Sequence, residues 1–255
     1  MLQTETRRRN SGRDAAIVRN RLLVSLPPDD FGALRNCLEP IELRKGAILQ
    51  DTNRPAEYAI FIETGVVSIV ARTVLDSAVE ILTVGDDGLI GIAAILGGGL
   101  TVQRACVQIA GRGLRIRADN LASAIAERPG IREHLMRYLP SLIMKQSQTA
   151  LCNAKHSTEQ KVARWLLQAH DYSGSDVLPV THDLLAGLLN ARRAGVTQVL
   201  AKLDEDGLLA RSRGALRIRN RGALQSRSCA CYKAICSSMS WLDEFEPFDH
   251  YLARH

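Results

Sequence analysis

Arg192, Arg193, Thr197, Gln198 and Lys202 recur along one face of a helical repeat, opposite Val196, Val199, Leu200 and Leu203. These side chains are hydrogen-bond donors, and their chemistry is recognition of anions and base edges. A guanidinium matches O6 and N7 of guanine, and an ammonium attracts phosphate. Thr181 stands before this group, and Ser212 and Arg213 follow it. Bond-making chemistry is not written here. No Ser/His/Asp arrangement or pair of carboxylates can be argued from spacing, so an enzyme is not expected. A metal-bearing β-fold enzyme is also disfavoured, since no histidine lies between Ile41 and Ile116.

The elements that must hold those donors are legible around them. Thr181 caps helix N-termini well, and Leu184, Leu185, Leu188 and Leu189 follow at helical spacing. Asn190 tolerates the left-handed backbone of a sharp turn. A second helix starts near Arg192, and Leu208 to Arg219 reads as two β-like runs around Ser212-Arg213-Gly214. Two helices, a tight turn and a hairpin wing make a winged helix-turn-helix pattern. From Arg192 to Arg221 eight Arg/Lys stand against three Asp/Glu, a surplus placed where phosphates would be met. A helical hairpin with a solvated basic face is the plainer alternative. Cap, turn residue, polarity and wing in this order favour duplex DNA.

The whole chain, 255 residues with net charge +6 and 46% hydrophobic content, has room for two domains. A pI near 9.2 favours a polyanionic partner. No apolar run is long enough for a membrane span and no signal peptide is seen, so a cytoplasmic, membrane-free protein is expected. Residues 1–20 are rich in arginine and read as a basic disordered arm.

Leu22 to Leu26 and Phe31 to Leu38 read as entry helices. From Ile41 to Ile116 short β-like runs follow: Ile41-Leu43, Ala47-Gln50, Tyr58-Ile62, Val66-Ala71, Val79-Val84, Val107-Ile109 and Leu114-Ile116. Lys45-Gly46, Asn53-Arg54-Pro55, Thr64-Gly65 and Gly85-Asp86-Asp87-Gly88 supply turns, which argues for a sandwich or roll. Asn120 to Glu127 reads as a short helix, and a long one runs from about Ile131 to Asn153. Pro140 should kink or restart it. Leu135, Leu139, Leu142, Gln146 and Thr149 follow a 3-4-3 spacing that fits a partner helix or the chain's own β-layer. Ser157 and Gln160 form a capping-box pattern ahead of a helix to Asp171. Ala223 to Trp241 reads as helix and Glu244 to His255 as a tail.

From Val180 to Leu209 the chain resembles, without a gap, the winged helix-turn-helix of the Crp/Fnr family of bacterial transcription regulators. The likeness extends from about Arg21 to Gly222. It implies an α+β architecture: an N-terminal double-stranded β-roll like a cyclic-nucleotide-binding domain over 21–127, a dimerisation helix over 128–155 and a DNA-binding domain over 156–224, with a C-terminal helix and tail over 225–255. A homodimer on a near-palindromic operator, with RNA polymerase as a further partner, is also implied. The family's second helix opens with a Ser-Arg-Glu-type segment, matched here by Arg192, Arg193 and Ala194. Arg193 keeps the guanine-reading type, Ala194 lacks the acidic reader, and Gln198 stands where a further Arg is often found. The operator should differ accordingly.

In the family's cyclic AMP pocket a Gly-Glu turn holds the ribose and an Arg the cyclic phosphate. Gly88, Leu89, Ile90, Arg104 and Ala105 match that region here, with Leu89 or Ile90 where the Glu should be. Without that carboxylate a cyclic nucleotide is disfavoured and no cofactor is expected. Arg104 reads equally as a cation for an anionic, largely apolar ligand or as an ion-pair partner of Glu63 or Asp86. Cys229-Ala-Cys231, with Cys236 beyond, lacks the spacing of a structural zinc site and has no sequence-near histidine. These cysteines read as small core residues, and no metal is expected. His134, His156, His170 and His182 are spread singly and read as capping or surface residues. The alternative for the whole chain is a cyclic-nucleotide-binding module that acts on a protein partner without touching DNA.

Overall fold

The computed structural model describes residues 18–72, 78–101 and 103–244. Most of the expected basic arm, and the tail beyond Glu244, lie outside the described residues. Asn20, at the arm's end, is instead buried: its Nδ2 donates to Ile62 O at 2.8 Å and Gly88 O at 2.9 Å.

Two short helices come first, α1 (Arg21–Val24) and α2 (Pro28–Arg35). Pro28 occupies the first turn of α2, where its missing N–H has no partner to lose, and Asp29 and Asp30 suit the helix's positive end. Strands β1 (Glu39–Leu43), β2 (Ile48–Gln50), β3 (Tyr58–Arg72), β4 (Ala78–Val84) and β5 (Leu89–Ile90) follow, then a helical turn α3 (Ile92–Ile95) and β6 (Arg104–Arg117). The sheet runs β1-β6-β3-β4, with β2 also on β6 and β5 on β3, all antiparallel. This is the β-roll layer of an α+β fold.

Two pairs of expected short strands are single long ones. Thr64-Gly65 does not reverse the chain. It is a bulge, with register shifts on both sides of Thr64 and again between Val66 and Val67. Gly65 has φ 94°, and a Cβ there would lie 2.7 Å from Ile109 O, so glycine is what lets β3 and β6 bend together. The Gly85 to Gly88 turn is present, closed by Gly88 N donating to Gly85 O at 3.1 Å.

Helix α4 (Ala118–Glu127) leads into α5 (Pro129–Lys155), which runs through Pro140 without the expected restart. Pro140 is exposed, so the interruption of one hydrogen bond falls on the water side, where a freed carbonyl is solvated. The larger correction concerns faces. Leu135 and Thr149 are each 1% exposed and Leu142 packs partly into the roll, so these three positions of the stripe through Leu135, Leu139, Leu142, Gln146 and Thr149 face the chain's own core. Leu139 and Gln146 sit half-buried at its border. Ile143 (63% exposed), Met144 (46%) and Leu151 (46%) form the outward apolar face.

Helix α6 (Thr158–Ser173) starts with the expected capping box of Ser157 and Gln160. Next come β7 (Val177–Leu178), α7 (His182–Leu188), α8 (Arg193–Glu205), β8 (Leu209–Ser212) and β9 (Ala215–Ile218). The helix expected over 223–241 is divided into α9 (Arg221–Arg227), α10 (Ala230–Ser237) and a 3₁₀ turn (Ser240–Glu244), because Ser228 and Cys229 are extended. Among the described residues no helix is long and apolar enough to cross a membrane.

One apolar cluster runs from Val66, Val70 and Ile109 of the roll through Val162, Trp165, Leu166 and Ala169 of α6 into Leu185, Leu200 and Leu216. At its centre Trp165 Nε1 donates to Glu80 Oε2 at 3.1 Å. That buried carboxylate also accepts from Thr83 Oγ1 at 2.9 Å and from Ser68 Oγ. These three hydroxyl and indole donors satisfy the carboxylate in the core. A second buried junction joins the Gly85–Gly88 turn to both helices. Lys145 Nζ lies 2.5 Å from Asp87 Oδ2, and Tyr172 Oη donates to the same oxygen at 3.1 Å.

Beside it, burial and the neighbouring Asp87 carboxylate push Asp86 up from 3.8 to about 6. A raised carboxyl binds its proton more tightly folded than unfolded, so its ionisation destabilises the fold as pH rises from about 4 through about 6. Asp86→Asn is therefore expected to gain up to about 3 kcal/mol over the wild type at neutral pH. The gain should vanish near pH 4, as read by urea denaturation at both pH values. An equal difference at the two would show that Asp86 ionises normally.

Candidate nucleic-acid interface

Local sequence folds α7 and α8 into a bihelical unit. Thr181 Oγ1 accepts from Leu184 N at 3.2 Å and begins α7. Asn190 (φ 46°) makes the turn, and α8 then buries Val196, Leu200 and Leu203. His182 Nδ1 lies 3.0 Å from Thr197 Oγ1, which fixes the first helix against the second. Sequence reasoning missed this tie, whose residues are fifteen apart and meet only across the turn.

The opposite face of α8 is open. Arg192, Arg193, Ala194 and Gln198 are exposed. No side chain caps the start of α8 at Arg192, so its first N–H groups and the positive helix end face outward. Arg193 Nε is held by Asp183 Oδ1 at 2.7 Å, with both side chains about two-thirds or more exposed, at 71% and 67%. An ion pair this wet is worth little and is readily exchanged for another acceptor.

Strands β8 and β9 form the wing, with Gly214 (φ 76°) in the turn that lifts Arg213 into solvent. A third strand, β7, pairs with β9 and was not anticipated; its two residues are too short to give an alternation. Ser212 Oγ is used inside the hairpin, donating to Ala215 O at 3.1 Å. Arg217 and Arg219 add exposed charge along β9 and after it. Thr181, His182, Asp183, Arg193, Ser212 and Gly214 border a cleft of about 270 Å³ between the helices and the wing.

Lys202, further along α8, is exposed and carries an ion pair of its own. It reaches Glu159 Oε2 at 3.2 Å on α6, in a network where Arg227 bridges Glu159 and Asp206 at 2.9 and 2.7 Å. Both cations hold the Glu159 carboxyl below the usual range against its partial burial. Lys202 thus ties α8 to α6.

The roll end shows a different pattern. Leu89, Ile90 and Ala105 are buried. The left-handed glycine that heads a helix is Gly91 (φ 94°), so the residue after that turn is Ile92, two residues beyond Ile90 and also apolar. Arg104 is paired with neither Glu63 nor Asp86. Its Nε and Nη2 donate to the two oxygens of Asp51, each at 2.9 Å. The pairing raises the Arg104 pKa and lowers that of Asp51. Asp51 lies 53 residues away, and nothing local in the sequence points to it.

Residues 160–227 match the model of the Crp-like helix-turn-helix domain. Over 223 residues the chain is 27% identical to the CRP-like cAMP-activated global transcriptional regulator of Mycobacterium tuberculosis, covering 84% of this chain and 96% of that protein. In fold it is similar to FixK2 from Bradyrhizobium japonicum (TM-score 0.64, 16% identity, 76% of this chain and 98% of that one). It is similar also to the c-di-GMP responsive global regulator CLP of Xanthomonas campestris (TM-score 0.60, 17% identity, 75% and 99%). With an exposed, positively ended second helix beside a basic wing, carried on a β-roll, the chain bears a Crp-like helix-turn-helix domain and is built as a DNA-binding transcription regulator of the Crp/Fnr type.

Proposed function

We propose that the protein is a homodimer that binds a near-palindromic operator by inserting the start of α8 into the major groove. The observation that carries this reading is the exposed opening of α8 at Arg192, Arg193 and Gln198, backed by a buried face of Val196, Leu200 and Leu203. In this reading Arg193 leaves Asp183 and pairs with a guanine, while Arg213, Arg217 and Arg219 neutralise phosphates. The outward face of α5 at Ile143, Met144 and Leu151 supports a second copy as the dimer partner.

Arg193→Ala is expected to cost about 1–3 kcal/mol on the preferred duplex and to relax choice at one position per half-site. Arg213→Ala should weaken all sequences alike and lower the salt slope by about one. Fluorescence anisotropy on matched and mutated duplexes reads both. Unchanged sequence preference in Arg193→Ala would misplace the second helix.

The effector reading follows the roll. The relative in Mycobacterium tuberculosis is described as cAMP-activated. Here Leu89, Ile90 and Ile92 are apolar, and both forks of Arg104 are engaged by Asp51. These features support regulation without a cyclic nucleotide. Calorimetry with cyclic AMP and cyclic GMP should give no binding heat. Micromolar binding abolished by Arg104→Ala would overturn this reading.

A further inference from the structure

The end of α5 and the start of α10 converge on a cluster that belongs neither to the DNA face nor to the roll. Cys152 and His156 stand one helical turn apart at the end of α5, with His156 as its C-cap. Cys229 caps α10 and Cys231 lies in its first turn. Cys152 Sγ is 3.5 Å from Cys229 Sγ, and Cys231 Sγ is 3.6 Å from His156 Nδ1. All four donor atoms lie within 4.8 Å of one another. The three cysteines are buried and His156 is half-buried. The expectation that these cysteines merely fill the core thus holds neither for Cys236, which is exposed, nor for the histidine count, since the fold supplies His156.

We propose that Cys152, His156, Cys229 and Cys231 form a tetrahedral site for a thiophilic divalent cation, with zinc the ion the donor set fits best. Four donors at Zn–S and Zn–N lengths of about 2.3 and 2.1 Å stand about 3.5–3.8 Å apart in a tetrahedron. The Cys152–Cys229 and Cys231–His156 separations already have that size. Three sulfurs and one imidazole favour zinc over magnesium or calcium, which take oxygen ligands.

The surroundings carry the matching charge. A dication with three thiolates and a neutral imidazole leaves a net charge of minus one, and binding releases three thiol protons to solvent. Arg164, fully buried on α6, exerts its field on Cys152 and Cys231. Its Nε and Nη2 have no hydrogen-bond partner among the described residues. A buried cation with unspent donors beside a cluster of thiols is otherwise costly; beside an anionic metal–thiolate centre it is an outer-shell partner.

The site would clamp the last turn of the long helix to α10, across the junction between α5 and α6. It holds the DNA-reading part at a set place relative to the long helix, and metal loss would free it.

The test uses the full chain, isolated under reducing conditions, with elemental analysis and substitution by cobalt(II). One metal per chain is expected, together with the strong visible bands of tetrahedral thiolate-bound cobalt, displaced by zinc. Cys236→Ser should keep both properties. Cys231→Ser should lose the stoichiometry, and His156→Ala should shift the cobalt bands. Three results would overturn the proposal: reduced wild type without stoichiometric metal or cobalt–thiolate bands, Cys231→Ser with unchanged spectrum and stoichiometry, or a Cys152–Cys229 disulfide in the freshly isolated chain. None of these readouts depends on DNA binding.

Discussion

Lys145→Ala is expected to lower the folding stability by about 3–5 kcal/mol, because it strands a buried carboxylate. Lys145 and Asp87 are 3% and 6% exposed, and Asp87 Oδ1 already lacks a hydrogen-bond partner. Removing the ammonium leaves the Asp87 side chain, among the described residues, with the Tyr172 hydroxyl as its remaining donor. Replacing both members by apolar residues, Asp87→Leu with Lys145→Met, should recover most of the loss. Urea denaturation of the two variants separates a stranded charge from lost packing. A loss below about 1 kcal/mol in Lys145→Ala would mean that water reaches the pair. The junction also has a mechanical sense. Asp87 belongs to the turn before β5, Lys145 to the long helix and Tyr172 to the last turn of α6, so one carboxylate fastens the roll to both helices.

Ile143→Glu is expected to halve the sedimenting mass and to weaken binding to a two-half-site duplex by about 10²–10⁴-fold. A glutamate on this face is harmless to the monomer, where position 143 is 63% exposed, and is unpaired only when a second copy covers it. Leu135→Ala supplies the contrast. It opens a cavity in the chain's own core and should cost about 2–5 kcal/mol of folding stability. An unchanged mass in Ile143→Glu would move the interface off α5.

That contrast shows where periodicity runs out. Helix α5 is apolar on two faces, one through Leu135, Tyr138 and Leu142 and one through Ile143, Met144 and Leu151. A repeat of three and four residues finds either stripe but cannot say which one meets the chain's own roll. The α7–α8 unit was legible because its signals are local: a Thr181 cap, an Asn190 turn and an apolar face, all within 25 residues, followed by a Gly214 hairpin. The roll was legible in its segments and not in its joins. Thr64-Gly65 carries turn residues whether the chain reverses or bulges, and the outcome is decided by β6 arriving alongside.

Side-chain pairs brought together from afar were not legible at all. Asp51 reaches Arg104, and Cys152 reaches Cys229 across 77 residues. The cluster's local hints were its two halves, Cys229-Ala-Cys231 and Cys152-x-x-x-His156, whose spacing of four puts both residues on one helix face; nothing local joins the halves.

Selection of bound fragments from a random duplex pool by the full chain tests the account most directly. The account predicts enrichment of one sequence with two inverted half-sites centred about 34 Å apart. Its guanine preference at one position per half-site should be lost in Arg193→Ala, and its affinity should fall steeply with salt. A pool that returns unenriched, with no salt-dependent binding of duplex DNA, would contradict it.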